Sequence, residues 1–206
     1  MESTEGTSVR TTVAAQAPQD ILDTIVPLLK RSPNDDRPVI LMTCGLAGSG
    51  KTTLVKAVIG VLPQFTRLSI DEIIFEEHGL YGVDYPADDK LYEQYNEEAD
   101  AIYLDTFRRL LEEKKDVVLE RSFYAKEDRD EFKKMVEDGG GRLVLVYLKA
   151  VDKEVLWDRI CSRSAKGKEA NSSLDISREI LDRYWAGFEA PDGEGEVVVD
   201  VLPALH

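Results

Sequence analysis

Histidine and cysteine are nearly missing from this chain. Its 206 residues hold two of each: His78, His206, Cys44 and Cys161. The histidines lack metal-ligand spacing, which excludes a zinc centre. Two cysteines, one in an apolar run and one in a helical segment, make no disulfide framework, and both are read as reduced, Cys44 within the core. Positive charge is also short, with 26 Lys and Arg against 40 Asp and Glu and a net charge of −14. That balance disfavours a nonspecific grip on nucleic acid or on an anionic membrane, while leaving room for a local basic groove. No window reaches the ~18 apolar residues of a membrane span. The first residues carry Glu2 and Glu5 in place of a signal-type apolar region or an arginine-rich transit pattern. A soluble cytoplasmic protein is expected, with a single α/β domain over 18–206 and no independent second domain.

What is present is a phosphate-binding loop. Gly45 to Thr52 reads G-L-A-G-S-G-K-T and fills every fixed position of G-x-x-x-x-G-K-[ST]. Its flanks are in the required order. Val39 to Met42 is a short apolar run suited to a strand buried on both faces, and Leu54, Val55, Val58 and Leu62 recur at helical spacing after the lysine. Gly45, Gly48 and Gly50 let backbone N–H groups approach phosphate, and the helix starting near Lys51 adds its positive end. The expected nucleotide contacts are Gly45, Leu46, Ala47, Gly48, Ser49, Gly50, Lys51, Thr52 and Thr53. In this scheme Lys51 reaches the terminal phosphates as a point charge and the Thr52 hydroxyl ligates Mg²⁺. The guanine-reading string N-K-x-D does not occur, so the expected donor is ATP.

Along the chain, residues 1–17 are rich in Ser, Thr, Ala and Gln and are expected to be a disordered tail. Ile21, Ile25, Leu28 and Leu29 mark a short amphipathic helix kinked or ended near Pro27. Further strands are expected at "FTRLSID", "DVVLE", "RLVLVYL" and "GEVVVDV", separated by helical segments. The longest helix runs from Leu91 to Glu113, with Leu91, Tyr95, Ala99, Ile102, Thr106 and Leu110 on one stripe. Five apolar strands alternating with helices predict a five-stranded parallel sheet covered on both faces. Ligands in such sheets bind at the carboxyl ends of the strands, which puts Asp71 and Glu120 beside the phosphate loop.

These motifs carry a resemblance. "GLAGSGKTTL", a strand ending S-I-D at 69–71, "DVVLERSFYAKEDRDEF" at 116–132 and "LWDRICSR" at 156–163 with a polar stretch after it resemble, in this order, a small P-loop kinase. The group is that of zeta toxins, chloramphenicol phosphotransferase and gluconate kinase. The likeness spans about residues 38–200 and implies a nucleoside-monophosphate-kinase-like sheet of strand order 2-3-1-4-5, with a short lid at about 164–176. It implies that Asp71 orients and deprotonates the acceptor hydroxyl, that Arg159 packs on adenine, and that Arg163 neutralises phosphate charge. From the residues alone, Asp71 can also be a helix N-cap, and Arg159 and Arg163 a solvated stripe. Glu120 stands where such kinases more often have Asp, and either serves Mg²⁺ or pairs with Arg121.

The implied function is phosphoryl transfer from MgATP to a small-molecule hydroxyl. The alternatives are a nucleotide-binding switch that transfers nothing and a polynucleotide 5′-hydroxyl kinase. Tyr81, Tyr85, Tyr92 and Tyr95 crowd the expected acceptor region, the last two at spacing more usual for core residues. The wall from Glu76 to Asp100 is rich in acids, with Lys90 its only base, which predicts a neutral or cationic acceptor and no oligonucleotide.

Overall fold

The architecture grows from one parallel sheet whose strands send alternate side chains into two apolar layers. In a computed structural model, residues 9–11, 18–165 and 176–203 are described. The elements are β1 (Val9–Thr11), α1 (Pro18–Leu29), β2 (Val39–Cys44), α2 (Lys51–Val61), β3 (Thr66–Ser69), α3 (Ile70–His78), α4 (Asp89–Glu112), β4 (Val117–Glu120), α5 (Lys126–Asp138), β5 (Arg142–Ala150), α6 (Lys153–Ser164), α7 (Arg178–Gly187) and β6 (Val197–Val201). All strand pairs are parallel, in the order β1-β6-β5-β2-β4-β3.

The five expected strands are present, and their order β3-β4-β2-β5-β6 is 2-3-1-4-5 when they are numbered among themselves. A sixth, three-residue strand joins the β6 edge, pairing Val9 with Val197 and Thr11 with Val199. It falls within the segment expected to be a disordered tail; the rest of that segment lies outside the described residues.

Period-two alternation divides the sheet's faces. Val39 and Leu41 pack with Ile25, Leu29, Val55 and Val58 under α1 and α2. Ile40 and Met42 point the other way, onto Tyr103, Phe107, Phe123 and Phe132 of α4, α5 and the loop before α5. Of the expected stripe, Ala99 and Leu110 are buried and Leu91 and Tyr95 pack against the core, whereas Tyr103 and Phe107 take the places expected for Ile102 and Thr106, and Ile102 is left exposed. The helix is capped by Asp88, whose carboxylate accepts from the N–H groups of Lys90 and Leu91. Helix α1 continues through Pro27 to Leu29 instead of ending there. No described helix is long and apolar enough to cross a membrane.

Candidate active site

Strands β2, β3 and β4 end together, and the groups after them meet at one edge. Thr43 of β2 and Ser69 of β3 both register with Glu120, the last residue of β4. After β2 the chain turns through Gly45, Gly48 and Gly50, all at positive φ (143°, 81° and 99°). Gly45 N–H donates to the Ser122 carbonyl at 3.0 Å, tying the loop to the segment after β4. A Cβ on Gly48 would meet the Leu156 carbonyl oxygen at 2.8 Å. That closeness is how the loop holds α6. Leu46 packs with Leu156, Ile160 and Leu181, and α6 then presents Arg159 and Arg163, four residues apart, to the cleft.

The cleft has a volume of about 910 Å³. Of the expected nucleotide contacts, Leu46, Ala47, Gly48, Gly50, Lys51, Thr52, Thr53 and Arg159 line it, together with Asp71, Glu120 and Arg163. Gly45 and Ser49 lie beneath the loop surface. Ser49 is 2% exposed, and among the described residues its hydroxyl has no hydrogen-bond partner.

Lys51 Nζ donates to the carbonyls of Gly45 at 2.8 Å and Leu46 at 3.1 Å. Burial pushes its ammonium below the usual lysine range, while the negative charges of Glu120 and Asp71 pull it back. Asp71 is the second residue of α3, and Ser69 occupies the cap position. Its side chain is exposed at the cleft, with protein on its inner side. Desolvation pushes its pKa up, Glu120 adds to the rise, and Lys51 and Arg163 oppose it. Lys51, Asp71 and Arg163 therefore lie within one another's fields.

Glu120 is 7% exposed and neither carboxylate oxygen is idle. The Thr52 hydroxyl donates to Oε1, and Arg67 Nε donates to Oε2 at 2.6 Å. Arg67 also reaches Glu72 at 2.9 Å. The partner of Glu120 is thus Arg67 and not Arg121. Arg121 instead donates from Nη1 to Asp100 of α4 at 2.7 Å.

The donor set suits a hard cation of the Mg²⁺ kind. Thr52 and Glu120 place two oxygens side by side, and no cluster of three or more His, Cys, Asp or Glu forms a cage among the described residues. Mg²⁺ is commonly held in this way, by one or two protein oxygens together with phosphates and water.

The opposite wall differs from the expected one. From the segment Glu76 to Asp100, only Tyr92 and Asn96 line the cleft. Its acids face outward: Glu76, Glu77, Glu93, Glu97 and Glu98 are exposed. They solvate an outer helix face, which removes the basis for predicting a neutral or cationic acceptor. Tyr81 and Tyr85 are buried core, and Tyr95 stacks on His78 with ring centroids 3.5 Å apart. Tyr124 and Tyr184, which sequence reasoning missed as site residues, line the cleft with Tyr92, as do Arg121 and Arg183. The lid expected at 164–176 lies outside the described residues over 166–175.

A family model described as an AAA domain matches residues 40–191, from β2 to beyond α7. The chain belongs to this AAA domain family. Solved structures agree with the fold. A candidate kinase from Chloroflexus aurantiacus J-10-fl is similar over 80% of this chain and 88% of its own, at 22% identity and TM-score 0.63. A gluconokinase from Sinorhizobium meliloti 1021 covers 85% of this chain and 86% of its own, at 18% identity and TM-score 0.54. A chain of the Pnkp1/Rnl/Hen1 RNA repair complex has a TM-score of 0.58 at 16% identity, with 73% of this chain matched to 44% of that one. No curated protein matches the sequence. At these identities the likeness is one of fold, and the fold is of the P-loop kinase type.

Proposed function

We propose that this member of the AAA domain family moves the γ-phosphoryl group of ATP to a hydroxyl of a small molecule. The observation that carries the reading is the convergence of Lys51, Asp71 and Arg163 in one cleft, each within the field of the others. A phosphate loop alone binds nucleotide. A carboxylate facing that loop, with cations beside it, is what transfer to an acceptor adds.

The loop glycines cradle the phosphates with backbone N–H groups, and Lys51 exchanges its two loop carbonyls for phosphate oxygens. Arg163 neutralises charge that spreads over the migrating group, and Arg159 covers the nucleotide from α6. Asp71 accepts the proton of the acceptor hydroxyl as the new O–P bond forms and the bond to the ADP oxygen breaks. Its raised pKa makes it a better base than an ordinary aspartate. Thr52 and Glu120 are the residues that would hold Mg²⁺, which when bound screens the β- and γ-phosphate charge.

A screen of hydroxyl-bearing metabolites for stimulated ADP release tests the reading. The expected result is stimulation by a small-molecule class, lost by at least tenfold, about 1.4 kcal/mol, in Lys51→Ala. ADP release that no acceptor accelerates marks the protein as a nucleotide switch instead.

A further inference from the structure

We propose that the acceptor carries an anionic group, a carboxylate or a phosphate, beside its reacting hydroxyl, and that Arg121 and Arg183 hold that group. The inference rests on the kinase reading above for the reaction and on the cleft's own side chains for the ligand.

Among the described residues the cleft is lined by six cations, Lys51, Lys56, Arg121, Arg159, Arg163 and Arg183, and by two acids, Asp71 and Glu120. Glu120 is already matched by Arg67. Lys51, Arg159 and Arg163 gather around the loop, and Arg159 also reaches the Leu202 carbonyl at 3.2 Å. Arg121 is tied through Asp100 to α4, and Arg183 stands on α7, whose Tyr184 lies near Tyr92 of α4 in the cleft lining. Asp100, which holds Arg121, follows Asn96 and Tyr92 at four-residue intervals on one face of α4, and those two residues line the cleft. Arg183 precedes Tyr184 in α7. The Tyr184 ring meets Tyr124 edge-on at 6.2 Å, and the Tyr124 hydroxyl donates to the Arg183 carbonyl at 3.5 Å. Among the described residues no acid pairs with the Arg183 side chain.

The cleft lining here offers the Arg183 guanidinium, and the N–H groups of Arg121 left over from its pair with Asp100, among three tyrosines and an asparagine. A guanidinium matches the two oxygens of a carboxylate or phosphate with parallel N–H bonds, a fit that an uncharged acceptor cannot use. The tyrosine rings and Asn96 suit the remaining small carbon skeleton. A polyanion is disfavoured because the outer face of α4 carries exposed Glu93, Glu97 and Glu98, so that face offers no basic track away from the cleft.

The test fills the phosphate loop first. The full chain, saturated with a non-hydrolysable ATP analogue and Mg²⁺, is titrated calorimetrically with inorganic phosphate and with acetate. Saturable binding of at least one of them is expected, weakened at least tenfold in Arg183→Gln and in Arg121→Gln, with affinity for the analogue unchanged. Absence of saturable binding, or binding that both variants retain, overturns the proposal while leaving the kinase reading intact. Failure of the analogue itself to bind removes both. In a parallel arm, hydroxy acids and sugar phosphates should accelerate ADP release more than matched uncharged polyols. Acceleration by the polyols alone, or preferred labelling of 5′-hydroxyl oligonucleotides, overturns it as well.

Discussion

Gly48 and Leu156 are packed so closely that a methyl group on the glycine would press to 2.8 Å on the leucine's carbonyl oxygen. Backbone cannot move aside as a side-chain tip can, and φ at Gly48 is +81°, where other L-residues are strained. Gly48→Ala should therefore push α6 from the loop, weaken ATP-analogue binding by at least tenfold and destabilise the fold by roughly 1–3 kcal/mol. Gly60 supplies the control. It lies within α2 with nothing within 4 Å of an added Cβ, so Gly60→Ala should stabilise by about 0.5–1 kcal/mol. Thermal melts and analogue titration of both variants separate the two effects, and equal behaviour would remove Gly48 as the seat of α6.

The pH dependence of turnover should report Asp71. Its carboxyl is pushed above the ordinary aspartate value of 3.8 by desolvation. Only the ionised form accepts a proton, so kcat should fall as pH drops through that raised pKa, with the acid limb above the usual aspartate range. Asp71→Asn should lose turnover about 10²–10⁴-fold while keeping analogue binding.

The sign for stability is opposite. A carboxyl whose folded pKa is raised penalises the native state at pH above that pKa, and the penalty vanishes below the unfolded pKa. Because water reaches the side chain and screens most of this penalty, Asp71→Asn should melt only slightly higher than the parent at pH 7 and lose that advantage near pH 4. A melting difference independent of pH would show that the side chain is not desolvated.

Arg129 is 2% exposed and forms a two-point pair with Glu194, which is 10% exposed, at 2.8 Å and 2.7 Å. Its remaining Nη1 donates at 3.0 Å to the carbonyl of Phe123, a residue held at φ 43°. Glu194→Gln leaves a buried cation facing a neutral amide, and a cost of roughly 3–5 kcal/mol is expected in chemical denaturation. Replacing both partners, Arg129→Met with Glu194→Leu, should recover much of that loss. A single variant costing under about 1 kcal/mol would mean that the pair is solvated in solution.

The two thiols should differ sharply. Burial pushes the Cys44 thiol up to about 12, whereas Cys161 is exposed on α6. At pH 8 a thiol reagent should titrate one cysteine per native chain and two after denaturation. Rapid reaction of both in the native protein would place Cys44 outside the core.

Much of the fold was legible because the sequence writes local signals strongly. Apolar β-branched runs, helical spacing and the glycine-lysine loop are all read within one element, and the strand-end positions of Asp71 and Glu120 follow from them. What failed depended on partners distant in sequence. β1 is three residues long and draws its pairing from β6, almost the whole chain away, so no periodicity announces it. Arg67 finds Glu120 only because β3 lies beside β4. Of the two roles left open for Glu120, the pair with Arg121 is not made: Arg121 follows the end of β4 and reaches Asp100 of α4 instead. The cleft wall was misread for a similar reason. The charge of the segment 76–100 is a property of composition, but which side chains face inward is decided by the rotation of α4 against the sheet. Tyr184 recurs with Ile180 and Leu181 at helical spacing in α7, and nothing local marks it or Arg183 as lining the cleft.

The bond from Thr52 to Glu120 bears on how quickly the proposed cation site could fill. A threonine hydroxyl is a rotor with one hydrogen, and here that hydrogen is committed to a carboxylate which Arg67 in turn holds still. The lone pairs are left on the other side of the oxygen. If the loop takes Mg²⁺ as proposed, the ion would meet an oxygen whose orientation was settled on folding, with no torsional search remaining at the moment of capture.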